Sequence, residues 1–193
     1  MATRPPPDPW LDHRLTAAAR GGDAEAFEQL YTRYRDWVVS LALRYTRNRD
    51  DALDVLQETF LYFLRKLPEF RPRAELTTFL YPVVRNLALT RRRKRRPELA
   101  GEEILIEAPA PEPVDHDHSR RELAAVLRGL AAGQHEVLLL RFVDGLALEE
   151  IAAALAIPLG TVKSRLHHAL RTLREDARTR EYFDRDTGKT RAE

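Results

Sequence analysis

The sequence contains no cysteine and only 8 glycines, and 8% of its 193 residues are aromatic. Without cysteine the chain can form neither a disulfide nor a thiolate metal site, and it has no thiol nucleophile. Few glycines and aromatic residues argue against an all-β sandwich, whereas the long runs of Ala, Leu, Glu and Arg favour helices. We therefore expect an all-α protein of a reducing compartment, with the cytoplasm as the default.

Long apolar segments and the common signatures of catalysis are also missing. The first twenty residues hold four prolines and charged side chains in place of the apolar core of a secretory signal. No window approaches the roughly 20 apolar residues of a membrane-spanning helix. The chain has no phosphate-binding GxxxxGK loop, no metal-ligand spacing and no nucleophile beside an evident base. We expect a soluble, non-enzymatic protein without a metal or cofactor.

What the sequence does contain is strongly segregated charge. The 32 basic and 30 acidic side chains nearly cancel, yet residues 85–96 carry seven basic residues and no acid. Residues 97–118 carry seven acids, four prolines and neither Lys nor Arg, so they can neither sustain a helix nor bury much apolar surface. We interpret residues 97–118 as a flexible linker. The remaining predicted units are a disordered tail at 1–9, a small helical domain at 10–96, a second at 119–177 and a C-terminal tail at 178–193.

Helix starts and stops are marked clearly in the first domain. Asp23 follows two glycines and can cap the helix after it, and Asn48 begins a second helical pattern that Pro68 ends. Apolar residues at helical spacing predict the buried face of each helix. On the second helix this face includes Leu53 and Leu64 at its two ends.

A third helix of the first domain carries a proline. Leu80, Val83 and Val84 predict its buried face, and its C-terminal end is the basic run. Pro82 lacks the N–H that a helix interior needs. The helix therefore either starts near Thr78, which leaves the proline in its first turn, or is kinked.

The second domain reads as four helices that end in a helix-turn-helix. Ser119, with Glu122 three residues later, is a capping-box signal for the first of them. Short helices follow at 134–143 and 148–155. The turn at 156–158 then leads into a last helix that runs to about Glu175. Two short helices joined by such a turn are typical of a DNA-binding helix-turn-helix.

The last helix presents one apolar and one polar face. Val162, Ala169 and Leu173 fall on one side. Short polar residues and cations lie opposite, and there is no acid between Pro158 and Arg174. Such a face suits a DNA major groove, although a solvated amphipathic helix is the ordinary alternative.

The second helix of the first domain carries an acidic stripe on its outward side. Asp50, Asp51, Asp54 and Glu58 lie there with Gln57, and no basic residue occurs between Asp50 and Tyr62. A solvated helix surface would account for this pattern. We prefer a docking surface for a basic partner, because one-sign charge beside a hydrophobic bundle favours a complementary electropositive surface.

The basic run follows aromatic residues and an amide. Clustered arginines bind phosphates without reading sequence. Phe70, Phe79 and Tyr81 could stack on an unpaired base, and Asn86 could read its edge. For Phe79 we regard packing in the core as the better explanation.

Taken together, the two domains resemble the sigma-70 family of bacterial transcription initiation factors. The likeness is to the small extracytoplasmic-function (ECF) type, which has only regions two and four. The segments that carry it are DVLQETF at 54–60, FLY at 79–81 with RNLA at 85–88, QHEVLLLRF at 134–142 and PLGTVKSRLH at 158–167. They resemble, in order, the polymerase-binding helix, the promoter-melting helix and, for the last two, the region-four helix-turn-helix.

The resemblance implies specific partners and site residues. Core RNA polymerase would be bound through the clamp helices of its largest subunit by Asp51, Asp54, Gln57 and Glu58, and its flap would face the second domain. The start-proximal promoter element, partly single-stranded, would be held by Phe70, Arg85, Asn86, Arg91, Arg92, Arg93, Arg95 and Arg96. The upstream element would be read as duplex by Gly160, Thr161, Lys163, Ser164, His167, His168 and Arg171. An inhibitory anti-sigma factor is a further partner that the resemblance implies, and no membrane is involved.

A stand-alone helix-turn-helix regulator is the alternative interpretation. In it the first domain would sense a ligand or dimerise, and the second domain would bind DNA without polymerase. This alternative leaves the acidic stripe and the segment with aromatic residues and Asn86 unexplained. Tight binding to a palindrome in the absence of polymerase would favour it.

Overall fold

Eight α-helices make up the regular structure of the described residues. The structure, a computed structural model, describes residues 4–71, 75–95 and 117–179, and these ranges contain no β-strand. The helices are α1 (Pro9–Arg20), α2 (Ala24–Thr46), α3 (Arg49–Lys66), α4 (Leu76–Arg95), α5 (Asp117–Arg128), α6 (Ala132–Phe142), α7 (Leu148–Leu155) and α8 (Leu159–Glu175). The predicted all-α architecture is confirmed. Arg96 and most of the predicted linker lie outside the described residues.

The caps predicted from the sequence start two helices of the first bundle, α1–α4. The Asp23 carboxylate accepts a hydrogen bond from the Ala26 N–H at 3.1 Å, and the Asn48 side-chain oxygen accepts one from the Asp51 N–H at 2.8 Å. Each cap satisfies an amide that has no acceptor within its helix. The sequence prediction lacks α1, which Asp8 caps in the same way.

The buried face of α3 is narrower than the sequence predicts. The residues that it buries follow the alternating spacing of three and one that marks one helix face: Ala52, Val55, Leu56, Thr59, Phe60 and Phe63. Leu53 and Leu64 lie outside this stripe and are 39% and 47% exposed. The prediction that both leucines point into the core is therefore wrong.

Pro82 lies in the interior of α4. The helix begins at Leu76, so the proline is its seventh residue and not part of its first turn. Of the two predicted alternatives, the start near Thr78 with Pro82 in the first turn is therefore wrong, and the kink stays a prediction. Because proline has no N–H, the Thr78 carbonyl four residues earlier receives no hydrogen bond from it.

The second bundle, α5–α8, contains the predicted helix-turn-helix in α7 and α8. Left-handed backbone at Gly145, with φ 68°, and at Ala156, with φ 52°, forms the turns before and after α7. The helix α5 begins at Asp117, so Ser119 lies within it. The predicted capping box at Ser119 is wrong, because the backbone is already helical two residues earlier.

The two bundles pack against each other through an apolar contact between α4 and α7. One buried cluster spans both bundles, and Val137, Leu140 and Ile151 of the second bundle belong to it together with the core of the first. The rest of the second bundle has its own small core around Val126 and Leu173. The relative placement of the bundles could not be predicted from the sequence.

Two buried carboxylates reinforce this contact. Asp144 accepts hydrogen bonds from both terminal nitrogens of Arg44, at 2.6 and 2.8 Å, and from the Trp37 indole N–H at 2.9 Å. Glu136 accepts hydrogen bonds from the hydroxyls of Tyr45 and Tyr81 and from Arg85. Burial and the charge of Glu136 raise the pKa of the Tyr45 hydroxyl, which therefore remains a donor. We name these two groups the Asp144 cluster and the Glu136 cluster.

The N-terminal residues that the structure describes lie across both bundles. The Arg4 side chain forms ion pairs with Glu75 beside α4 and with Glu150 of α7. The Pro6 carbonyl accepts a hydrogen bond from Arg33 of α2. Within the predicted tail at 1–9, Arg4 and the Pro6 carbonyl thus have partners on the folded bundles, and Pro9 begins α1.

Candidate nucleic-acid interface

The outer face of α8 is exposed to solvent. Its exposed residues include six of those predicted to read duplex DNA: Gly160, Lys163, Ser164, His167, His168 and Arg171. Thr161, the seventh, is half-buried. On the opposite face Val162, Ala169 and Leu173 are buried, as predicted. The amphipathic pattern of the sequence therefore corresponds to one buried and one accessible face.

Local contacts hold α8 in position on its supporting helices. The Ala147 N–H at the start of α7 donates to the Glu150 carboxylate at 2.7 Å, which compensates for the missing side-chain cap at Ala147. On α6, Gly133 has no Cβ, and the Arg165 guanidinium of α8 occupies the space that a Cβ would require. The recognition helix is therefore fixed by α6 and α7 together.

The chemistry of the α8 face suits an anionic duplex. Pro158 caps the helix without a side-chain hydrogen bond, and the Thr161 N–H donates to its carbonyl at 2.9 Å. The N–H groups of Leu159 and Gly160, the first two of the helix, have no acceptor within it and can bind a phosphate. The Ser164 hydroxyl donates to the Thr161 carbonyl at 3.0 Å, which leaves its lone pairs available to a base amino group. Lys163 supplies a donor for guanine or phosphate.

The acidic stripe of α3 lies beside α4, and the two helices form ion pairs. Arg91 of α4 donates to both Asp54 and Glu58, and Arg95 donates to Asp51 at 2.8 Å. The hydrogen bond with Glu58 is the main reason that the pKa of Arg91 rises above its ordinary value. The Asp54 and Glu58 side chains nevertheless remain 49% and 44% exposed. The stripe therefore stays accessible to a partner while it holds two arginines.

An apolar stripe that sequence reasoning missed lies next to these carboxylates. Leu53, Leu61 and Leu64 are exposed on α3, and with Gln57 they repeat at intervals of four, four and three residues. Residues at this spacing share one face of a helix. The signal was present in the sequence, but Leu53 and Leu64 were assigned to the core and Leu61 to neither face. An exposed apolar stripe flanked by charge is typical of a protein-docking surface.

Aromatic residues cluster between the end of α3 and the start of α4. The Phe70 ring packs against Phe79 at a centroid distance of 4.7 Å and against Phe63 at 5.4 Å. Phe70 and Phe79 are both half-buried, so each combines core packing with a surface that a base could reach. Asn86 is exposed on α4. The predicted role of Phe70 and Asn86 in holding a flipped base stays a prediction.

The basic residues of α4 differ in their freedom to bind phosphate. Arg85 is bound to Glu136 at 2.6 Å, in addition to the pairs that Arg91 and Arg95 make with α3. Arg93 is exposed and Arg92 is partly exposed. Three of the arginines predicted to contact promoter DNA are thus held by carboxylates of the chain itself.

Comparison with known protein families decides which class these surfaces belong to. A family model described as Sigma-70 region 2 matches residues 30–98, and one described as Sigma-70, region 4 matches residues 120–173. Together these ranges cover more than half of the chain. The chain belongs to the sigma-70 family.

Individual relatives of this sigma factor are of the ECF type. The chain is 31% identical over 172 residues to the ECF RNA polymerase sigma factor SigW of Bacillus subtilis, and this alignment covers 81% of the chain and 91% of the relative. It is 33% identical over 172 residues to the ECF RNA polymerase sigma-E factor of Escherichia coli, and this alignment covers 82% of the chain and 90% of the relative. The predicted ECF class is therefore confirmed.

Solved structures extend the likeness to the fold. CnrH, solved in complex with the cytosolic domain of CnrY, matches with a TM-score of 0.61 and 26% identity over 91% of this chain and 99% of that one. The sigma factor RpoE of Bartonella quintana, solved with the anti-sigma factor NepR, matches with a TM-score of 0.59 and 26% identity over 79% and 96%. The sigma factor is thus a promoter-specific transcription initiation factor, and the stand-alone regulator is not favoured.

Within the described ranges no helix combines the length and apolarity that a membrane span requires. In the same parts of the chain no three His, Cys, Asp or Glu side chains converge in a way that could hold a metal ion.

Proposed function

We propose that this sigma factor binds core RNA polymerase through α3, reads the upstream promoter element with α8 and holds an unpaired base of the start-proximal element beside Phe70 and Asn86. The observation that carries the proposal is the presence, on one chain, of an accessible basic recognition face and an accessible acidic and apolar docking face. A protein that only bound duplex DNA would need the first face but not the second.

The α3 surface is suited to a basic protein partner. Asp54, Gln57 and Glu58 supply acceptors, and Leu53 and Leu61 supply apolar area in the same patch. Interfaces of this kind combine an apolar centre with a complementary charged rim. The clamp helices of the largest polymerase subunit are the partner that we assign to it.

The α8 and α4 surfaces divide promoter recognition between duplex and single-stranded DNA. The polar face of α8, with Lys163, Ser164 and His167, reads base edges in the major groove. The aromatic cluster at Phe70 receives the flipped base, and the arginines of α4 follow the phosphates. The chain supplies positioning alone, and the chemistry of RNA synthesis belongs to the polymerase in the cytoplasm.

An anti-sigma factor is the regulator that we propose for this protein. Each of the two solved structures described above holds a protein partner, the cytosolic domain of CnrY with CnrH and the anti-sigma factor NepR with the sigma factor RpoE. The exposed leucines of α3 and the polar face of α8 are accessible to such a partner here. A pull-down from the native host that recovers polymerase subunits and no other stoichiometric protein would contradict this part.

Transcription reconstituted from purified components tests the proposal. Core polymerase of the host is combined with the full chain and a genomic promoter library, and transcripts are sequenced. We expect promoter-dependent transcripts only when both components are present, and weak, salt-sensitive DNA binding by the chain alone. No transcript with core enzyme, together with a sharp footprint of the isolated chain on duplex DNA, would overturn the proposal.

Variants of α3 test the docking surface separately. The double variant Asp54→Asn/Glu58→Gln should lose affinity for core polymerase. The double variant Glu25→Gln/Glu28→Gln removes the same charge from two exposed acids of α2 and should retain it. Equal affinity of the two variants would contradict the assignment of α3.

A further inference from the structure

Ion pairs join the surface proposed for polymerase on α3 to the surface proposed for promoter phosphates on α4. Arg91 and Arg95 are predicted to follow promoter phosphates, yet in this structure their partners are Asp54, Glu58 and Asp51 of the docking helix. An arginine that donates to two carboxylates has few donors left for a phosphate. Polymerase docking and promoter binding are therefore coupled through these side chains.

The ion pairs between α3 and α4 are accessible enough to exchange partners. Asp54 and Glu58 are about half-exposed, and Arg95 is more exposed still. Ion pairs at such positions contribute little each, because water competes for both partners. Arg85 differs in this respect, since its partner Glu136 is buried at the contact between the bundles and lies out of reach of a protein docked on α3.

We propose that the carboxylates of α3 act as an internal competitor for promoter phosphates. In the free chain Asp54, Glu58 and Asp51 hold Arg91 and Arg95. A basic polymerase surface that docks on Asp54 and Glu58 takes over their acceptors and repels the nearby guanidiniums, so both arginines become available to DNA. This inference rests on the proposed function, because it requires that α3 is the docking helix.

The exchange predicts coupling in both directions. If docking on α3 strengthens DNA binding by α4, then DNA bound to Arg91 must strengthen docking by the same factor. The free chain would bind promoter DNA poorly, and the complex with polymerase would bind it well. No conformational change of the helices is required, since only side chains exchange partners.

The test measures DNA binding by the full chain without polymerase. A fluorescently labelled single-stranded oligonucleotide is titrated with the wild type, with Asp54→Asn/Glu58→Gln and with the charge-matched control Glu25→Gln/Glu28→Gln. Glu25 and Glu28 are exposed on α2, and neither is the ion-pair partner of Arg91 or Arg95. Anisotropy is recorded at several salt concentrations, and circular dichroism verifies that each variant is folded.

The expected gain follows from the phosphates that the arginines neutralise. Each released arginine should steepen the dependence of log K on log salt by about 0.7 on a single strand, which is about five-fold in affinity at roughly 0.1 M salt. The Asp54→Asn/Glu58→Gln variant should therefore bind about five-fold more tightly than the charge-matched control. Adding Arg91→Ala to that variant should remove the gain.

Two outcomes would overturn the inference. The first is equal affinity of the variant and its control, and the second is a gain that survives Arg91→Ala. Either result can occur while the wild type still transcribes with core polymerase, so it would leave the proposed function intact. Loss of all promoter-dependent transcription by the wild type would instead refute the proposed function.

Discussion

Removal of the Asp144 carboxylate is the sharpest test of how the two bundles are held together. Asp144 and Arg44 are 1% and 2% exposed, and two hydrogen bonds of 2.6 and 2.8 Å join them, with the Trp37 indole as a third donor. Within the described structure the Arg44 Nε–H already has no acceptor. The substitution Asp144→Ala would therefore leave a buried guanidinium without any counter-charge, at a cost of about 3–5 kcal/mol.

Whether this cost lowers the free energy of unfolding or separates the two bundles depends on the free energy with which the bundles are docked. Arg44 can regain water if α6 and α7 move away from α2, so a cost that exceeds the docking free energy will separate the bundles rather than unfold them. Urea unfolding of Asp144→Ala and of the wild type gives the loss of stability. Fluorescence transfer between one dye on each bundle gives the separation.

A double replacement serves as the control for Asp144→Ala. In Arg44→Leu/Asp144→Leu neither charge remains buried, so most of the lost stability should return. An exposed ion pair contributes less than about 1 kcal/mol. A loss of stability this small in Asp144→Ala, together with an unchanged dye distance, would refute the reasoning. A double variant no more stable than the single one would show that the charge imbalance is not the cause.

Three further outcomes are expected, each with its own measurement. Removal of the α3 cap in Asn48→Ala should cost about 1 kcal/mol, seen as a lower urea midpoint with an unchanged slope. Burial and, to a lesser degree, the charge of nearby Arg44 lower the pKa of His135. Below pH 6.5 the unfolded chain therefore takes up a proton that the folded chain does not. Stability should therefore fall as the pH drops from 6.5 towards the lower pKa of the folded state, and thermal melts of His135→Leu should show a weaker fall; an equal fall in both proteins would contradict this cause. Finally, Lys163→Ala should reduce promoter-dependent transcription and lower the salt slope of promoter binding by about one, whereas Arg35→Ala on α2 should do neither.

Apolar periodicity and helix caps carried most of the correct predictions about the fold. Apolar residues at helical spacing predict a buried face on α2, and Trp37 and Tyr45, which lie on that face, are buried. Asp23 and Asn48 were assigned as helix starts, because a cap is a local interaction between residues two or three positions apart. Signals of this kind need no knowledge of the tertiary structure.

The failures have physical reasons that differ from one element to the next. The helix α1 buries Asp12 and Thr16 along with Leu15 and Ala19, so half of its inner face is polar and its periodicity is weak. On α3 the error at Leu53 and Leu64 arose because hydrophobic character was taken as evidence of burial. Apolar residues also occur on surfaces, and burial at the margin of a stripe depends on the neighbouring helix.

The exposure of the residues predicted to bind DNA could be predicted from the sequence, whereas their partners within the chain could not. The accessibility of Lys163 and His167 followed from the position of the apolar face of α8, and the structure places both at the surface. The pair between Arg91 and Glu58 could not be predicted, because it depends on how α3 and α4 are rotated and aligned against each other. Residues 33 positions apart in the chain have no fixed spatial relation until the bundle has formed.

The contacts between the two bundles, which could not be predicted from the sequence, include buried charged and hydroxyl groups. Asp144 and Glu136 join the bundles through buried ionic and hydroxyl groups, where a purely apolar contact would also have been possible. A buried ion pair adds little net stability over an apolar replacement, because the cost of removing the charges from water offsets their attraction. It does penalise every misaligned contact, since a shifted partner leaves a charge unpaired. The two bundles are therefore held in one register by an interaction of modest net strength, which is compatible with separate engagement of α3 by polymerase and of α8 by duplex DNA.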